Sequence, residues 1–491
     1  MDHVNDFETA ADLTYSKLPF RPRFSSEARE HYTFSSVDSL LADTLNISEM
    51  LKHHQEHQAP RLDALDDYYE GNNNGILRKS RRKEVHLADH RSPHNFAEYV
   101  SQFIQGYMCG IPIKVQHDDE TVSDKLNELN DQTDADAHNS DLILDLSIYG
   151  RAYELLYRNM DDESHLALLS PLETFVVYSN TVEKKPLAAV RYYTTVTGKE
   201  ETHVEVYTDK DIIYYTAKDI HSYHLDEVDR KEHYFGGVPI VEYSNNRFRQ
   251  GDYEKVLYLI DLYDAAQSDT ANYMTDLNDA MLKITGNLEI DVEEARSMKD
   301  ANILFLKAEP SVDGKESKVD ADYIYKKYDV AGVEKYKDRI ANDIHKFTNT
   351  PDMGDSQFAG TQSGIAMVYK LFGLEQKRAI KERLFKRSMM QRYKLIKNIL
   401  RFANEGDFDI HGLKITFTPN LPENIAEELD MFVNAGGVLS QETLLSMLST
   451  VSDPKEELER IAAEMAENQN SLLNTYSFAP TSAGGANGSE E

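Results

Sequence analysis

The sequence predicts an α+β fold in which helix predominates. Apolar residues recur at helical spacing along one stretch beginning near Ser363-Gly364, short β-branched and aromatic runs alternate with turn signals from Arg151 to Thr216, and two amphipathic helices flank a compact insert at Asn287–Tyr328. The first stretch is the most demanding. Its apolar stripe is Ile365, Val368, Phe372, Leu374, Ile380, Leu384, Phe385, Met389, Tyr393, Ile396, Ile399 and Leu400, with no proline among them. At about 1.5 Å per residue such a helix runs about 55 Å, too long for one compact domain to cover. It is expected to bridge domains or subunits.

Taken in order, residues up to about Thr44 read as irregular, with Pro19 and Pro22. Helical pattern begins near Ser48, passes His53, His54 and His57, and ends at Tyr68-Tyr69-Glu70-Gly71; Gly71 to Gly75 is a turn cluster. The basic hexad Arg78–Lys83 reads as an exposed loop, with nucleic acid or an acidic partner as the sharper alternative. Asn95–Ile104 is helical and stops at Gly110-Ile111-Pro112. A second helix runs from Asp141 to Tyr149, with Gly150 placed as its C-cap.

Strands are expected at Arg151–Tyr157, Leu166–Tyr178, Leu187–Val196, Thr202–Thr208 and Asp211–Thr216, forming an antiparallel meander. Gly236-Gly237-Val238-Pro239 closes that block. A long helix follows over Asp252–Lys283, then the insert with strand-like Ile303–Leu306 and Tyr323–Tyr325, then a returning helix over Val333–Phe347. Two helices around an insert make a stalk with a tip. Beyond the long basic helix, Leu413–Phe417 reads as a strand, Pro419 and Pro422 mark a boundary, and the last folded piece is helical. Ser440 can cap one of its helices, and Asp453-Pro454-Lys455-Glu456 has the form of a helix start. From about Ser471 the tail carries too little apolar surface to order itself.

Charge is distributed unevenly. From Ser363 to Phe402 eleven basic residues (Lys370, Lys377, Arg378, Lys381, Arg383, Lys386, Arg387, Arg392, Lys394, Lys397, Arg401) face only Glu375 and Glu382, and removing that +9 from the chain's −32 leaves −41 elsewhere. A solvated helix face is one reading. An acidic neighbouring subunit or a polyanion is the sharper one, and Lys377, Lys381 and Arg387 are expected to meet acidic surface of adjacent subunits. The 491 residues are otherwise ordinary, 40% hydrophobic and 28% charged, and long enough for about two to four domains. A net charge of −32 argues against a protein that coats nucleic acid, because phosphate binding relies on lysine and arginine. It suits a duct through which a duplex must slide without sticking.

Cys109 is the single cysteine, so an intrachain disulfide is excluded and a reducing compartment fits. Met1 to Asp6 lacks the basic and apolar regions of a signal peptide, and the apolar patch Phe103–Ile113 is too short to span a bilayer. A soluble, intracellular chain is expected. Gly314-Lys315 is followed by Glu316, so no phosphate-cradling P-loop is present, and no HExxH occurs. His86, His90 and His94 have helical spacing, but Pro93 interrupts them, so no metal or other cofactor is expected. The chain is expected not to be an enzyme. A nucleic-acid-processing hydrolase and a helical scaffold protein remain as rivals.

Several landmarks together resemble the portal protein of tailed bacteriophages, in the family found in siphophages of Gram-positive hosts. They are Tyr68-Tyr69-Glu70-Gly71; Asn95-Phe96-Ala97 through Gly110-Ile111-Pro112-Ile113; Tyr149-Gly150-Arg151-Ala152-Tyr153-Glu154; Pro171-Leu172-Glu173; and Gly237 to Tyr243 with Asn245-Asn246. Ile260-Asp261-Leu262-Tyr263 and Gly360-Thr361-Gln362-Ser363-Gly364-Ile365-Ala366 follow downstream. The series covers roughly Leu65 to Leu400.

The resemblance implies a portal-type fold with wing, stem, clip and crown regions, assembled as a ring at one capsid vertex around a DNA channel. Carried onto this chain, 1–250 is wing, 251–285 and 332–349 are stem helices, and 286–331 is clip. Residues 350–363 are the tunnel loop, 364–422 the long wing helix and return strand, 423–470 the crown, and 471–491 a disordered tail. The loop would present Met353, Asp355, Gln357, Phe358, Thr361 and Gln362 to double-stranded DNA. It holds Asp352 and Asp355 but no lysine or arginine, so steric contact by Met353, Gln357 and Phe358 is expected rather than a grip on phosphate. Implied partners are further copies of the chain (a dodecamer, or thirteen subunits when recombinant), the terminase large subunit, a head–tail adaptor, and the major capsid and scaffolding proteins, with no membrane. The implied location is the virion's portal vertex, reached from the host cytoplasm.

Overall fold

The alternation of side chains along its central strands decides how the N-terminal half is layered. In the computed structural model, residues 31–72, 74–77, 88–195, 201–218, 224–276, 281–285, 320–324, 329–353 and 364–420 are described, with isolated positions at 291, 293, 296 and 297 and short stretches between 434 and 466. The elements in order are β1 (Tyr32–Phe34), α1 (Val37–Leu41), α2 (Thr44–His53), α3 (Ala59–Tyr69), α4 (Asn74–Leu77), α5 (Phe96–Cys109), β2 (Lys114–His117), α6 (Glu120–Gln132) and α7 (Ala135–Tyr149). Next come β3 (Arg151–Arg158), β4 (Ser164–Leu169), β5 (Thr174–Ser179), β6 (Pro186–Thr195), β7 (Glu201–Tyr207), β8 (Asp211–Ala217), β9 (Asp226–Glu232) and β10 (Ile240–Ser244). The remainder is α8 (Leu257–Asp276), β11 (Met281–Thr285), β12 (Asp320–Ile324), α9 (Val330–Thr348), α10 (Gly364–Ala403), β13 (Leu413–Thr416) and α11 (Gln441–Leu445).

Strands β5 to β8 form most of the expected antiparallel meander, extended by β9 and by β1 lying parallel to β5 in the order β1-β5-β6-β7-β8-β9, while Arg151–Tyr157, expected as its first strand, is β3 of a separate sheet. Phe175, Val177, Ala188, Val190, Val204 and Val206 face Leu40, Ile47 and Leu51 of α1 and α2. The alternate residues Val176, Ala189 and Tyr207 face Tyr153, Leu169 and Ile240 of a second sheet, β10-β3-β4. A period of two thus covers one sheet with helices on one face and strands on the other.

The expected single strand Leu166–Tyr178 is two strands in different sheets. Pro171 lies at the break, where it cannot donate to a ladder. Strand β9 escapes the sequence pattern because all seven of its residues, largely charged, are exposed at a sheet edge. Helix α6 escapes it too, since Leu126 is its only buried residue. The helix expected from Ser48 starts at Thr44 and carries a π turn at His54–Gln58. There Ala59 N–H reaches His54 O, five residues back, just ahead of Pro60, which has no N–H to give.

The chain divides into two compact units, Met1–Gly360 with Lys370–Asn420, and Thr361–Tyr369 with Leu421–Glu491. In the first, α8 is shorter than predicted: it ends at Asp276, and Met281–Thr285 is a strand hydrogen-bonded to β12. Helix α9 returns beside α8, with Lys337 Nζ donating to Gln267 Oε1 at 2.7 Å. Strand β13 pairs with β2 as the return strand. In the second unit Ser440 caps α11 by accepting from Thr443 N, while Ile303–Leu306, the hexad Arg78–Lys83 and the tail from Ser471 lie outside the described residues.

The long helix is continuous over forty residues, about 60 Å. Its C-terminal half is fixed to both β3 and α7 by buried charge. Arg392, 1% exposed, donates through Nε to Glu154 Oε1 at 2.9 Å and through Nη1 to Asn139 Oδ1 at 2.9 Å. Glu154, fully buried, also meets His138 Nε2 at 2.9 Å and accepts from Tyr243 Oη at 2.9 Å. Burial pushes the Glu154 carboxyl up, but Arg392 and His138 outweigh it and hold it at about 2. Glu154→Gln should destabilise the fold by about 3–5 kcal/mol at neutral pH, because Arg392 is left buried without its anion. A carboxyl held below its ordinary 4.5 contributes stability above that value and loses it as pH falls toward about 2. The parent–variant gap measured by denaturant melts should therefore stay constant from neutrality to about pH 4.5 and narrow below it.

Candidate functional site

The turn between β10 and α8 is seated tightly on the end of α7. Gly150, the C-cap predicted for α7, has φ +79°, and a Cβ there would stand 2.2 Å from Arg249 O, so only glycine fits. Asp252 N–H donates to Ser147 O at 2.8 Å, and Asn245 Nδ2 donates to Asp252 Oδ1 at 3.1 Å. Two residues on, buried Glu254 takes Arg61 of α3 in a two-pronged pair at 3.0 and 2.7 Å.

Asp252 is the meeting point with the long helix. Its Oδ1 lies 2.9 Å from Lys377 Nζ and its Oδ2 2.5 Å from Lys381 Nζ. Burial works against ionisation, yet the two ammonium groups hold the Asp252 carboxyl well below the usual carboxylate range. Burial pushes the Lys381 ammonium down, with Asp252 opposing it. Lysines four apart on one helix repel in isolation; one buried carboxylate between them accounts for the pattern.

Lys377 does a second thing. The same Nζ donates to Thr348 O at 2.9 Å, the last turn of α9, where unsatisfied carbonyls and the helix dipole favour a cation. One ammonium therefore joins the entry to α8, the exit of α9 and the long helix. Beyond Thr348 the backbone turns at Asn349, φ +57°, a left-handed conformation that asparagine tolerates. Tyr99 of α5 then grips the chain twice: its hydroxyl donates to Pro351 O at 2.7 Å and accepts from Met353 N at 3.2 Å. The root of the predicted loop is thus held from α5 and from α10.

Met353 stands at that root, 47% exposed. Asp355, Gln357, Phe358, Thr361 and Gln362 lie outside the described residues. Of the helix positions assigned to a neighbouring subunit, Lys377 and Lys381 are instead paired within the chain, because the turn at Asp252 buries a carboxylate that needs them. Arg387 is exposed. Tyr99, Asp252 and Thr348 were not singled out from sequence; the Lys377/Lys381 spacing was the one available signal. His90 and His94 bond to Thr275 and Asp264 respectively. Among the described residues no group of three or more His, Cys, Asp or Glu could hold a metal, and no helix is long and apolar enough to cross a membrane.

Two sheets, the neighbouring helices α8 and α9 and a long basic helix make a mixed helix-and-sheet chain, and comparison with known proteins gives its class as a phage portal protein. Residues 48–471 match the family described as Phage portal protein, SPP1 Gp6-like. The portal protein of Bacillus phage SPP1 is 25% identical over 486 residues, covering 93% of each chain, and that of Clostridium phage phiCD119 is 26% identical over 450 residues, covering 84% of this chain and 94% of that one. A chain from the virion of a native gene transfer agent particle overlays 79% of this chain and 92% of its own, at 14% identity and a TM-score of 0.39. This chain belongs to the SPP1 Gp6-like family of phage portal proteins.

The Asp252 arrangement separates the two lysines by role. Asp252 and Lys381 balance one another, so Lys381→Met should cost about 3–5 kcal/mol by unbalancing a buried carboxylate. Lys377→Gln keeps the Asp252–Lys381 pair but removes the second ammonium, itself partly exposed, together with its bond to Thr348 O, and should cost less, about 1–2 kcal/mol. Hydrogen exchange should then accelerate at Thr348–Met353 in Lys377→Gln while α7 and β3 keep the parent's protection. Equal destabilisation by the two variants would contradict this division.

Proposed function

We propose that this portal protein assembles as a closed ring, with twelve subunits expected, at one vertex of the capsid, and that double-stranded DNA passes along its axis during packaging and ejection. The carrying observation is the family match across 48–471, supported by portal proteins of two phages that align over most of their length. In this reading 1–250 is wing, 251–285 and 332–349 are stem, 286–331 is clip, 364–422 is the long wing helix with its return strand, and 423–470 is crown. Further partners are the terminase large subunit during packaging, a head–tail adaptor afterwards, and the major capsid and scaffolding proteins around the ring. Assembly takes place in the host cytoplasm and ends in the virion.

The loop 350–363 is the element that meets DNA, through Met353, Asp355, Gln357, Phe358, Thr361 and Gln362. The clamped root supports this, because a contact loop needs a fixed base from which to act. Its side chains are neutral or acidic. Neutral contacts release few counterions and bind DNA weakly, which suits passage better than retention. Of the three helix residues assigned to a neighbour, Arg387 is the one that makes no ion pair among the described residues.

Deleting Asp355–Thr361 should leave assembly intact and lower the amount of DNA packaged or retained. A deleted ring that packages and holds DNA like the parent would remove the loop's role. Purified protein should hydrolyse neither ATP nor DNA, and turnover that persists through further purification would restore the hydrolase reading.

A further inference from the structure

The exposed charges of two helices form matching stripes. On α10, Arg383, Arg387, Lys394 and Arg401 are all exposed, and their steps of four, seven and seven residues bring them to one side of the helix, opposite buried Phe385, Met389, Arg392 and Ile396. On α6, Glu120, Asp124, Glu128 and Asp131 are all exposed, at steps of four, four and three, opposite buried Leu126. Among the described residues, none of these eight side chains makes an ion pair. That sets them apart from the rest of α10, where Lys377, Arg378, Lys381, Lys386, Arg392 and Lys397 are each paired within the chain.

The α10 stripe, Arg383 to Arg401, is the longer of the two, and its first three cations match the acidic stripe in length. Glu120 to Asp131 and Arg383 to Lys394 each span eleven residues, about 16 Å of helix. We propose that the α10 stripe of one copy docks on the α6 stripe of the next, a head-to-tail contact between two different surfaces of the same chain. Such a contact propagates from copy to copy and closes into a ring when the rotation permits. The proposal rests on the ring reading above and names its contact surfaces. Charge complementarity selects the occupant: the chain carries −41 outside the long helix, so a second copy offers the α10 stripe an anionic surface at high local concentration. Lys125, the one cation on α6, sits off the acidic stripe and does not interrupt it.

The test reverses each stripe and then both. Full-length parent is compared by sedimentation velocity with Arg383→Glu/Arg387→Glu/Lys394→Glu, with Asp124→Lys/Glu128→Lys/Asp131→Lys, and with the six changes combined. Each triple should raise the concentration needed for assembly at least about tenfold, since attraction at every repeated contact becomes repulsion. The combined variant should regain the parent's assembly. All should keep the parent's melting transition as monomers, because no intrachain ion pair is removed. Unchanged assembly in either triple overturns the pairing, as does a folded combined variant that fails to recover. Intact assembly with weakened binding of a short DNA duplex by the α10 triple would assign that stripe to nucleic acid instead. A parent that never assembles removes the ring reading itself, and the pairing with it.

Discussion

The fold depends on keeping the charges of one long helix paired where they are buried. Helix α10 carries eleven cations on forty residues, and a helix packed against α7, β3 and β10 cannot expose them all. At least six are ion-paired among the described residues, and two of the pairings are deeply buried: Arg392 on Glu154 and Lys381 on Asp252. A buried pair contributes little net stability against an apolar alternative, but losing one partner is severe. Such pairs therefore fix geometry. Glu154 brings β3, α7, β10 and α10 to one point, and Asp252 brings the β10–α8 turn to the same helix.

That constraint explains what could and could not be read from the sequence. Periodic apolar stripes gave α5, α9 and α10 and the strands of the meander, because each buries a regular face. Elements with little to bury were missed: α6 hides one leucine and β9 hides nothing. The Leu166–Tyr178 run looked like one strand because both of its halves are apolar, whereas Pro171 passes the chain from one sheet to the other. The C-terminal end of α8 was overextended into Met281–Thr285, where backbone pairing with β12 settles the matter and no local signal does.

The candidate site was legible in outline and not in detail. The glycine-bearing segment after α9 and the basic helix were found from composition. Its supports were not, because Tyr99 lies more than two hundred and fifty residues before the backbone it holds, and Asp252 is one acid among eighty-five aspartates and glutamates. Assigning Lys377 and Lys381 to a neighbour followed from counting charge along the helix. Counting cannot tell which cations a distant turn has already claimed. The exposed cations Arg383, Arg387, Lys394 and Arg401 make no ion pair among the described residues, and it is these that the proposed contact between copies uses.

Function follows from this division of charge. Inward-facing cations pair with buried carboxylates and, through Lys377, hold the last turn of α9 ahead of the loop. In the proposed ring, outward-facing cations would meet the acidic surface of the next copy, and the loop itself carries no cation to grip a sliding duplex. Electron microscopy of the purified full-length chain tests that account most directly. It predicts closed rings with an axial opening wide enough for a duplex; particles that remain single subunits at every concentration, or that assemble without a central opening, would contradict it.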